Sequence, residues 1–112
     1  MGNSWVLPGG RLEINEKTSY AVLREFQEEL GFQLKVKRLL WMIENFNAYG
    51  NQNLHEFGVY YLLEAEEPQS IICETGEFQG IEEDVKLTFR WFGLEQLQNI
   101  TLYPKCLKEL LK

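Results

Sequence analysis

The sequence predicts an α/β sandwich in which strands pack between an early helix and a late helix. Apolar residues recur at helical spacing between Val22 and Leu30. Residues 54–64 alternate with the period of two that is typical of a strand. Near the end of the chain, Leu107, Leu110 and Leu111 fall on one helical stripe. We therefore expect one α/β domain.

The chain opens with a short apolar strand, Trp5-Val6-Leu7, which ends at Pro8-Gly9-Gly10. Proline lacks a backbone donor and glycine permits a tight backbone path, so a turn is predicted there. Residues 11–17 read as a polar loop, and Thr18 or Ser19 is the predicted N-cap of the first helix. That helix is predicted to run to Leu30 and to stop at Gly31.

Two strand regions follow the helix. Residues 32–44 predict one or two strands, the second of them buried on both faces because Leu39 to Ile43 is a continuous apolar run. Residues 45–53, which contain Gly50-Asn51, predict a hairpin loop. The strand at residues 54–64 is expected near the middle of the sheet.

The last third of the chain predicts shorter elements. Residues 71–73 indicate a short edge strand, residues 74–84 an acidic loop punctuated by glycine, and residues 86–92 a further strand. Residues 93–97 predict a brief helix, and Tyr103-Pro104 is expected to open the last one.

Three carboxylates, Glu25, Glu28 and Glu29, share one face of the first predicted helix, away from its apolar arc. Like charges at these spacings repel by roughly 0.2–0.5 kcal/mol per pair, so helix stability does not explain them, whereas a bound cation does. Oxygen ligands suit Mg²⁺ or Mn²⁺, and one histidine with two distant cysteines makes a zinc site a poor fit. Because phosphate oxygens usually complete Mg²⁺ coordination, this face indicates phosphate chemistry.

Composition narrows the class of partner. The 112 residues are 45% hydrophobic and 25% charged, which is ordinary for a single globular domain. A net charge of -6 argues against binding to a nucleic-acid backbone. The sequence shows no basic leader and no apolar run of ~18 residues, so we expect no membrane partner and a cytoplasmic location. Cys73 and Cys106 are accordingly expected to be reduced thiols.

The glycine turn and acidic helix together resemble the Nudix hydrolase family, whose box reads G-x5-E-x7-R-E-U-x-E-E-x-G-U. Residues 10–32 match every fixed position of that box, and Trp5 to Gly10 is similar to the family's usual approach to it. Phe26 and Phe32 stand where aliphatic residues are commoner in the family. Asn15 stands where many members of the family have glycine. Asparagine tolerates a positive φ better than other non-glycine residues, so the turn before Glu16 can still form. The matching residues are Gly10, Glu16, Arg24, Glu25, Glu28, Glu29 and Gly31.

The resemblance implies roles for these residues in splitting a pyrophosphate bond. Glu28 and Glu29 would bind Mg²⁺ or Mn²⁺ with the Gly10 carbonyl, and Glu25 would be a further ligand or a base. Arg24 would orient the glutamates, and Glu16 would ligate weakly or pair with Arg24. The family often recruits another acid from a distant loop, for which Glu77, Glu82, Glu83 and Asp84 are the candidates.

What the resemblance implies about the substrate is broad. A nucleoside diphosphate linked to another moiety is expected, such as a nucleotide sugar, ADP-ribose, a dinucleoside polyphosphate or a nucleoside triphosphate. The alternatives are a nucleotide-binding module without turnover and an inactive truncated form. A Ca²⁺-binding protein is a third option, which the lack of an EF-hand pattern disfavours.

The resemblance also implies a Nudix-like α/β/α sandwich with a mixed sheet, truncated at its N-terminal strands, because only four residues precede Trp5. A missed upstream start, a cropped chain and a genuine short member are the competing explanations, and we favour a truncated or wrongly assigned start. A short member would be destabilised at an open sheet edge or would borrow a strand in a homodimer.

Several other residues have more ordinary interpretations. His55, inside a strand, is interpreted as a structural partner rather than a catalyst. Trp41, Phe46 and Tyr49 could stack on a nucleobase, but we interpret them as packing residues. Trp5 and Trp91 are expected in the core.

Overall fold

Up to residue 65 the helix and strands follow the order that the sequence predicts, and the last third of the chain departs from it. This computed structural model describes residues 4–49, 52–67, 77–82 and 87–111. Its elements are β1 (Ser4–Val6), α1 (Thr18–Leu30), β2 (Leu34–Tyr49), β3 (Gln52–Ala65), β4 (Glu77–Gln79), β5 (Thr88–Arg90), a 3-10 helix (Leu94–Asn99), β6 (Thr101–Tyr103) and α2 (Leu107–Leu110).

Both parallel and antiparallel strand pairs occur, and the α/β fold class is confirmed. β1 pairs in parallel with β6, with Trp5 opposite Leu102. β2 and β3 form a long antiparallel hairpin, and β4 pairs with β5, with Phe78 opposite Phe89. In the described part of the chain β3 pairs with β2 alone, so its expected place near the middle of a sheet is not observed.

The β2–β3 hairpin extends through most of the stretch predicted as a loop. Residues 45–49 continue β2, with Asn45 opposite Glu56 and Phe46 opposite His55. Ladder hydrogen bonds and cross-strand pairs therefore outweigh the low strand preference of the asparagines. The predicted turn at Gly50-Asn51 lies outside the described residues.

Two irregularities in β2 set which side chains face the core. The register shifts between Val36 and Arg38 and again between Leu39 and Trp41, as expected where one strand carries an extra residue. Beyond the second shift, the apolar run alternates between two faces. The expectation that it is buried on both faces is wrong, because Leu39 and Met42 remain 50% and 65% exposed.

One face of the hairpin packs on the main core. Leu97, Leu102 and Leu107 form that core, with half-buried side chains around it. Trp5 belongs to this group, as predicted, and meets Phe92 edge-on with ring centroids 5.2 Å apart. Trp91 does not: it is 38% exposed and stacks on Phe32. Three residues of the hairpin pack against this core: Trp41, Ile43 and Tyr60.

The bounds of α1 agree with the prediction except at its first residue. Lys17 occupies the N-cap position without a side-chain hydrogen bond, and the Thr18 hydroxyl instead lies 2.6 Å from the Tyr61 hydroxyl. Gly31 ends the helix with a φ of 72°, a left-handed conformation that favours glycine. No helix in the described ranges is long and apolar enough to cross a bilayer.

Most differences between the predicted and the observed elements lie in the last third of the chain. β4 lies inside the predicted acidic loop, and β6 lies just before the predicted last helix, where no strand is predicted. Both short strands form because they pair with strands elsewhere in the chain, β4 with β5 and β6 with β1. The final helix begins at Leu107 rather than at Tyr103. The predicted edge strand at residues 71–73, which includes Cys73, lies outside the described residues, while Cys106 is an exposed free thiol.

Candidate active site

Arg24 lies at the centre of an ion-pair network that joins the loop before α1 to the helix. Its Nε donates to Glu16 Oε2 at 2.6 Å, and its Nη2 donates to Glu16 Oε1 at 3.0 Å. This is a bidentate pair, the geometry that a guanidinium fork matches best. Arg24 Nη1 also lies 3.0 Å from Glu25 Oε1 and 3.1 Å from Glu28 Oε2. The Arg24 guanidinium therefore holds three carboxylates of the box, those of Glu16, Glu25 and Glu28.

Glu16 is the best enclosed partner of Arg24, with a side chain only 6% exposed. The hydrogen bond from Arg24 lowers the pKa of Glu16, and a backbone hydrogen bond from Glu13 lowers it further. That backbone bond runs from the Glu13 N–H to Glu16 Oε1 at 3.0 Å. The loop turns between them at Asn15, whose φ is 65°, so asparagine does adopt the left-handed conformation here.

Gly10 brings the backbone of the loop against the first acidic side chain of the helix. A Cβ added at Gly10 would lie 2.7 Å from Glu25 Oε2, closer than ordinary contact permits. Glu25 is already held by Arg24, so any side chain larger than hydrogen at position 10 would move the carboxylate. The Gly10 backbone therefore lies against the Glu25 carboxylate, and the role of the Gly10 carbonyl as a metal ligand stays a prediction.

Glu29 has the most unusual environment among the three glutamates on the helix. Counted over backbone and side chain together, Glu29 is 9% exposed and buried, whereas Glu16 is half-buried by the same measure. Burial raises the pKa of Glu29 to about 7, with further contributions from the charges of Glu25, Glu82 and Glu28. The ionised form is therefore costly here unless a cation compensates for it.

A segment far along the chain contacts the backbone of Glu29. The Ile81 N–H donates to the Glu29 carbonyl oxygen at 2.8 Å. Gly80 approaches the same oxygen so closely that an added Cβ would lie 2.8 Å from it. This contact holds the segment against the end of α1 and brings the charge of Glu82 near Glu29. Of the other loop acids, Glu77 is exposed in β4, whereas Glu83 and Asp84 lie outside the described residues.

The donor set of this site suits a hard divalent ion. Its groups are carboxylate oxygens and a backbone carbonyl, which Mg²⁺ and Mn²⁺ prefer. Burial, followed by repulsion from Glu25, Glu82 and Glu28, raises the pKa of Glu29, and a cation would relieve that repulsion. In the described ranges no three acidic, histidine or cysteine side chains already converge as a ligand cluster. Arg24 holds Glu25 and Glu28 instead, so these carboxylates would have to turn to hold a metal.

The remaining singled-out residues lie away from this network. His55 hydrogen-bonds the Glu44 carboxylate and stacks on Phe46, with ring centroids 4.3 Å apart, which fits its interpretation as a structural partner. Trp41 packs beside the core, as interpreted, but Phe46 is 75% exposed. Two contributors were not predicted: Glu13, through its backbone, and Ile81. The spacing of Glu13 and Glu16 was a usable signal, whereas nothing local to Ile81 indicates its contact with Glu29.

Comparison with known proteins places the box in a family. The family model described as NUDIX domain matches residues 1–112. The chain is 31% identical over 85 residues to diphosphoinositol polyphosphate phosphohydrolase 2 of Mus musculus, covering 76% of this chain and 48% of that protein. It is 50% identical over 40 residues to the 8-oxo-dGTP diphosphatase of Proteus vulgaris, which is 36% of each chain.

A third relative, the RNA pyrophosphohydrolase of Haemophilus influenzae, is 40% identical over 47 residues, covering 42% of this chain and 24% of that protein. The chain spans about half the length of the first of these relatives. The match of the family model over the whole chain agrees with the box at residues 10–32 and with the mixed α/β architecture. This chain therefore belongs to the Nudix family.

Proposed function

We propose that this chain hydrolyses a pyrophosphate bond in a nucleoside diphosphate linked to another moiety, with Mg²⁺ or Mn²⁺ as cofactor. The observation that carries the proposal is the position of Glu29, which is nearly buried beside the charges of Glu25, Glu28 and Glu82. A protein gains no stability from such a cluster, whereas a metal-dependent phosphate site needs it.

The Gly10 carbonyl and the carboxylates of Glu25, Glu28 and Glu29 would hold the metal. When bound, the metal supplies positive charge for the phosphate oxygens and acidifies a water molecule. Glu82 is the best placed additional acid, because its charge already acts on Glu29. Glu83 remains a candidate from the sequence alone.

Arg24 and Glu16 would act as positioning residues. The bidentate pair between them fixes the Arg24 side chain, which then restricts Glu25 and Glu28 through Nη1. Glu25 is either a further ligand or the base that accepts a proton from the attacking water. Its Oε1 lies 3.0 Å from Arg24 Nη1, so the guanidinium would hold the carboxylate in place for either role.

The relatives support the diphosphate chemistry and leave the attached group open. Their names give diphosphoinositol polyphosphate, 8-oxo-dGTP and RNA as the molecules acted on, which differ widely in what the phosphates carry. From the match to the family's box we propose a nucleoside diphosphate derivative as the substrate class. From the net charge of -6 and the lack of a long apolar run we propose a cytoplasmic location without a nucleic-acid or membrane partner.

A panel of nucleotide sugars, ADP-ribose, dinucleoside polyphosphates and nucleoside triphosphates, assayed with Mg²⁺ and with Mn²⁺, tests the proposal. We expect turnover that chelation abolishes, and a fall of at least ~100-fold in Glu28→Gln, the scale of losing transition-state charge stabilisation. Glu64→Gln, an exposed carboxylate on β3, is the matched control and should retain activity. Nucleotide binding without turnover would favour a binding module, and full activity in Glu28→Gln would reject its role.

A further inference from the structure

The last turn of α1 is capped by backbone from a distant part of the chain. Glu29 lies one residue before the end of the helix, where carbonyl oxygens have no N–H partner within the helix itself. The Ile81 N–H supplies that partner, because it donates to the Glu29 carbonyl oxygen at 2.8 Å. The main chain of Glu29, whose carboxylate belongs to the proposed metal site, is therefore held from outside the helix.

Gly80 permits this contact because it carries no side chain. An added Cβ would lie 2.8 Å from the Glu29 carbonyl oxygen and 2.7 Å from Phe89 Cε2. Gly80 does not have a left-handed φ, so alanine there would act through these contacts and not through backbone strain. On the helix side, Ile81 Cδ1 would lie 3.1 Å from a Cβ added at Gly31. We call the approach of Gly80 and Ile81 to the Glu29 carbonyl oxygen the cap contact.

The strands that carry the cap contact form a small unit. β4 and β5 have three residues each, and among the described strands they pair only with each other. Phe78 stacks on Phe89 at 5.9 Å between ring centroids, and the Gly80 N–H donates to the Leu87 carbonyl oxygen at 3.1 Å. A two-stranded unit of this size is marginally stable on its own. We therefore expect the cap contact to open locally, without unfolding of the whole chain.

Electrostatic repulsion links the cap contact to the metal. Glu82 follows Ile81 directly, so the cap contact brings a second acid to the end of the helix. Burial raises the pKa of Glu29 most, and the charges of Glu25 and Glu82 raise it further. Ionised Glu29 and Glu82 therefore repel each other, which opposes the cap contact in metal-free protein. A divalent cation on Glu29 would replace this repulsion by attraction, so bound metal should favour the closed cap contact.

We propose that Gly80 and Ile81 are positioning residues for the metal site, because the cap contact fixes the backbone that carries the Glu29 carboxylate. Metal binding and the cap contact then strengthen each other by the same factor, since coupling between two binding events is reciprocal. The inference rests on the proposed function only in assigning a metal to Glu29.

Amide hydrogen exchange of the full chain, followed by NMR, tests the cap contact itself. We expect the Ile81 amide to exchange at least ~10-fold more slowly in saturating Mg²⁺ than in chelator, because the metal favours the closed contact. In Gly80→Ala the Ile81 amide should exchange faster than in the wild type under both conditions. The amides of β2 and β3 should exchange alike in the two proteins, which separates loss of the cap contact from loss of overall stability.

Mn²⁺ affinity, measured by electron paramagnetic resonance, is the second readout. Gly80→Ala should bind Mn²⁺ about 10–100-fold more weakly than the wild type, the usual cost of losing a group that orients a metal ligand. Gly93→Ala is the matched control. A Cβ at Gly93 would lie 2.7 Å from Glu95 Oε1, which is the far end of an exposed side chain and can move away. This variant should keep the wild-type Ile81 exchange rate and Mn²⁺ affinity.

Circular dichroism verifies the fold of each variant. If Gly80→Ala fails to fold, Ile81→Ala replaces it, because this variant keeps the amide donor and loses the packing on Gly31, so both readouts should move in the same direction by a smaller factor. Wild-type Mn²⁺ affinity in the variant, or an Ile81 exchange rate that Mg²⁺ leaves unchanged although the wild type binds Mn²⁺, would overturn this inference and leave the proposed function intact. No Mn²⁺ binding by the wild type would reject the proposed function and this inference with it.

Discussion

Arg24 Nε lies 2.6 Å from Glu16 Oε2, and this pair joins a loop residue to a helix residue eight positions later in the chain. The guanidinium uses its remaining Nη1 contacts on Glu25 and Glu28, so the loop, the helix and the proposed metal-binding acids are tied to a single side chain. Substitutions in this network should affect activity more than they affect folding.

Arg24→Lys keeps the charge but cannot form the bidentate pair with Glu16. We expect kcat to fall about 10–100-fold, the usual cost of losing a group that orients metal ligands. Steady-state kinetics measure this, and Arg38→Lys, which changes an exposed arginine on β2, is the control. Equal activity in Arg24→Lys and the wild type would exclude a positioning role.

Glu29 should make stability depend on pH in the metal-free protein. Its pKa is about 7 in the folded state against an ordinary value of 4.5, so the folded state binds more protons between these values. Stability should therefore fall as pH rises from about 4.5 to 7 and level off above 7. Melting temperatures in a chelating buffer measure this.

Mn²⁺ should reverse that trend, because the metal competes with the proton for Glu29 and stabilises the protein most at high pH. In Glu29→Gln the part of the pH dependence due to this group should be absent. A wild-type melting temperature that rises between pH 5 and 7 in chelator, and equally in Glu29→Gln, would contradict the assignment.

Glu82→Gln should lower the pH midpoint of metal binding. The charge of Glu82 contributes to the raised pKa of Glu29, so its removal lets Glu29 ionise at lower pH. Mn²⁺ affinity measured against pH tests this, and Glu77→Gln, in the exposed β4 strand, is the comparison. If the two variants give the same midpoint, Glu82 has no special relation to Glu29.

Gly10→Ala and Gly9→Ala form a pair of neighbouring substitutions with different expected outcomes. A Cβ at Gly10 would meet the Glu25 carboxylate, whereas nothing lies within 4 Å of a Cβ at Gly9. We expect Gly10→Ala to lower kcat about 10-fold or more by moving Glu25, with the fold retained. Gly9→Ala should retain near-normal kinetics. A similar loss of activity in both variants would show that the loss comes from reduced backbone flexibility rather than from contact with Glu25.

Local pattern was sufficient to predict α1 and the grouping of its acids. The apolar spacing from Val22 to Leu30 fixed the helix, and Gly31 marked its end because glycine readily adopts the left-handed conformation. Once the helix is placed, Glu25, Glu28 and Glu29 must share one face. These features depend on neighbours in sequence, which is why they could be predicted.

Features that depend on distant contacts were not predictable in the same way. β6 forms because Leu102 pairs beside Trp5, nearly a hundred residues earlier. Ile81 donates a backbone hydrogen bond to Glu29, more than fifty residues earlier, and the exposure of Met42 depends on two register shifts in β2. No local sequence signal carries such information, so the electrostatics of the site appeared only with the structure.

The proposed activity requires the helical glutamates to hold a divalent metal to which a diphosphate binds. Mn²⁺ titration followed by electron paramagnetic resonance at about pH 8, above the pKa of Glu29, tests it most directly. We expect wild-type protein to remove more of the free Mn²⁺ signal than the nucleoside diphosphate alone removes, with affinity at least ~10-fold weaker in Glu29→Gln. Equal Mn²⁺ binding by the wild type and Glu29→Gln, or none by either, would contradict it.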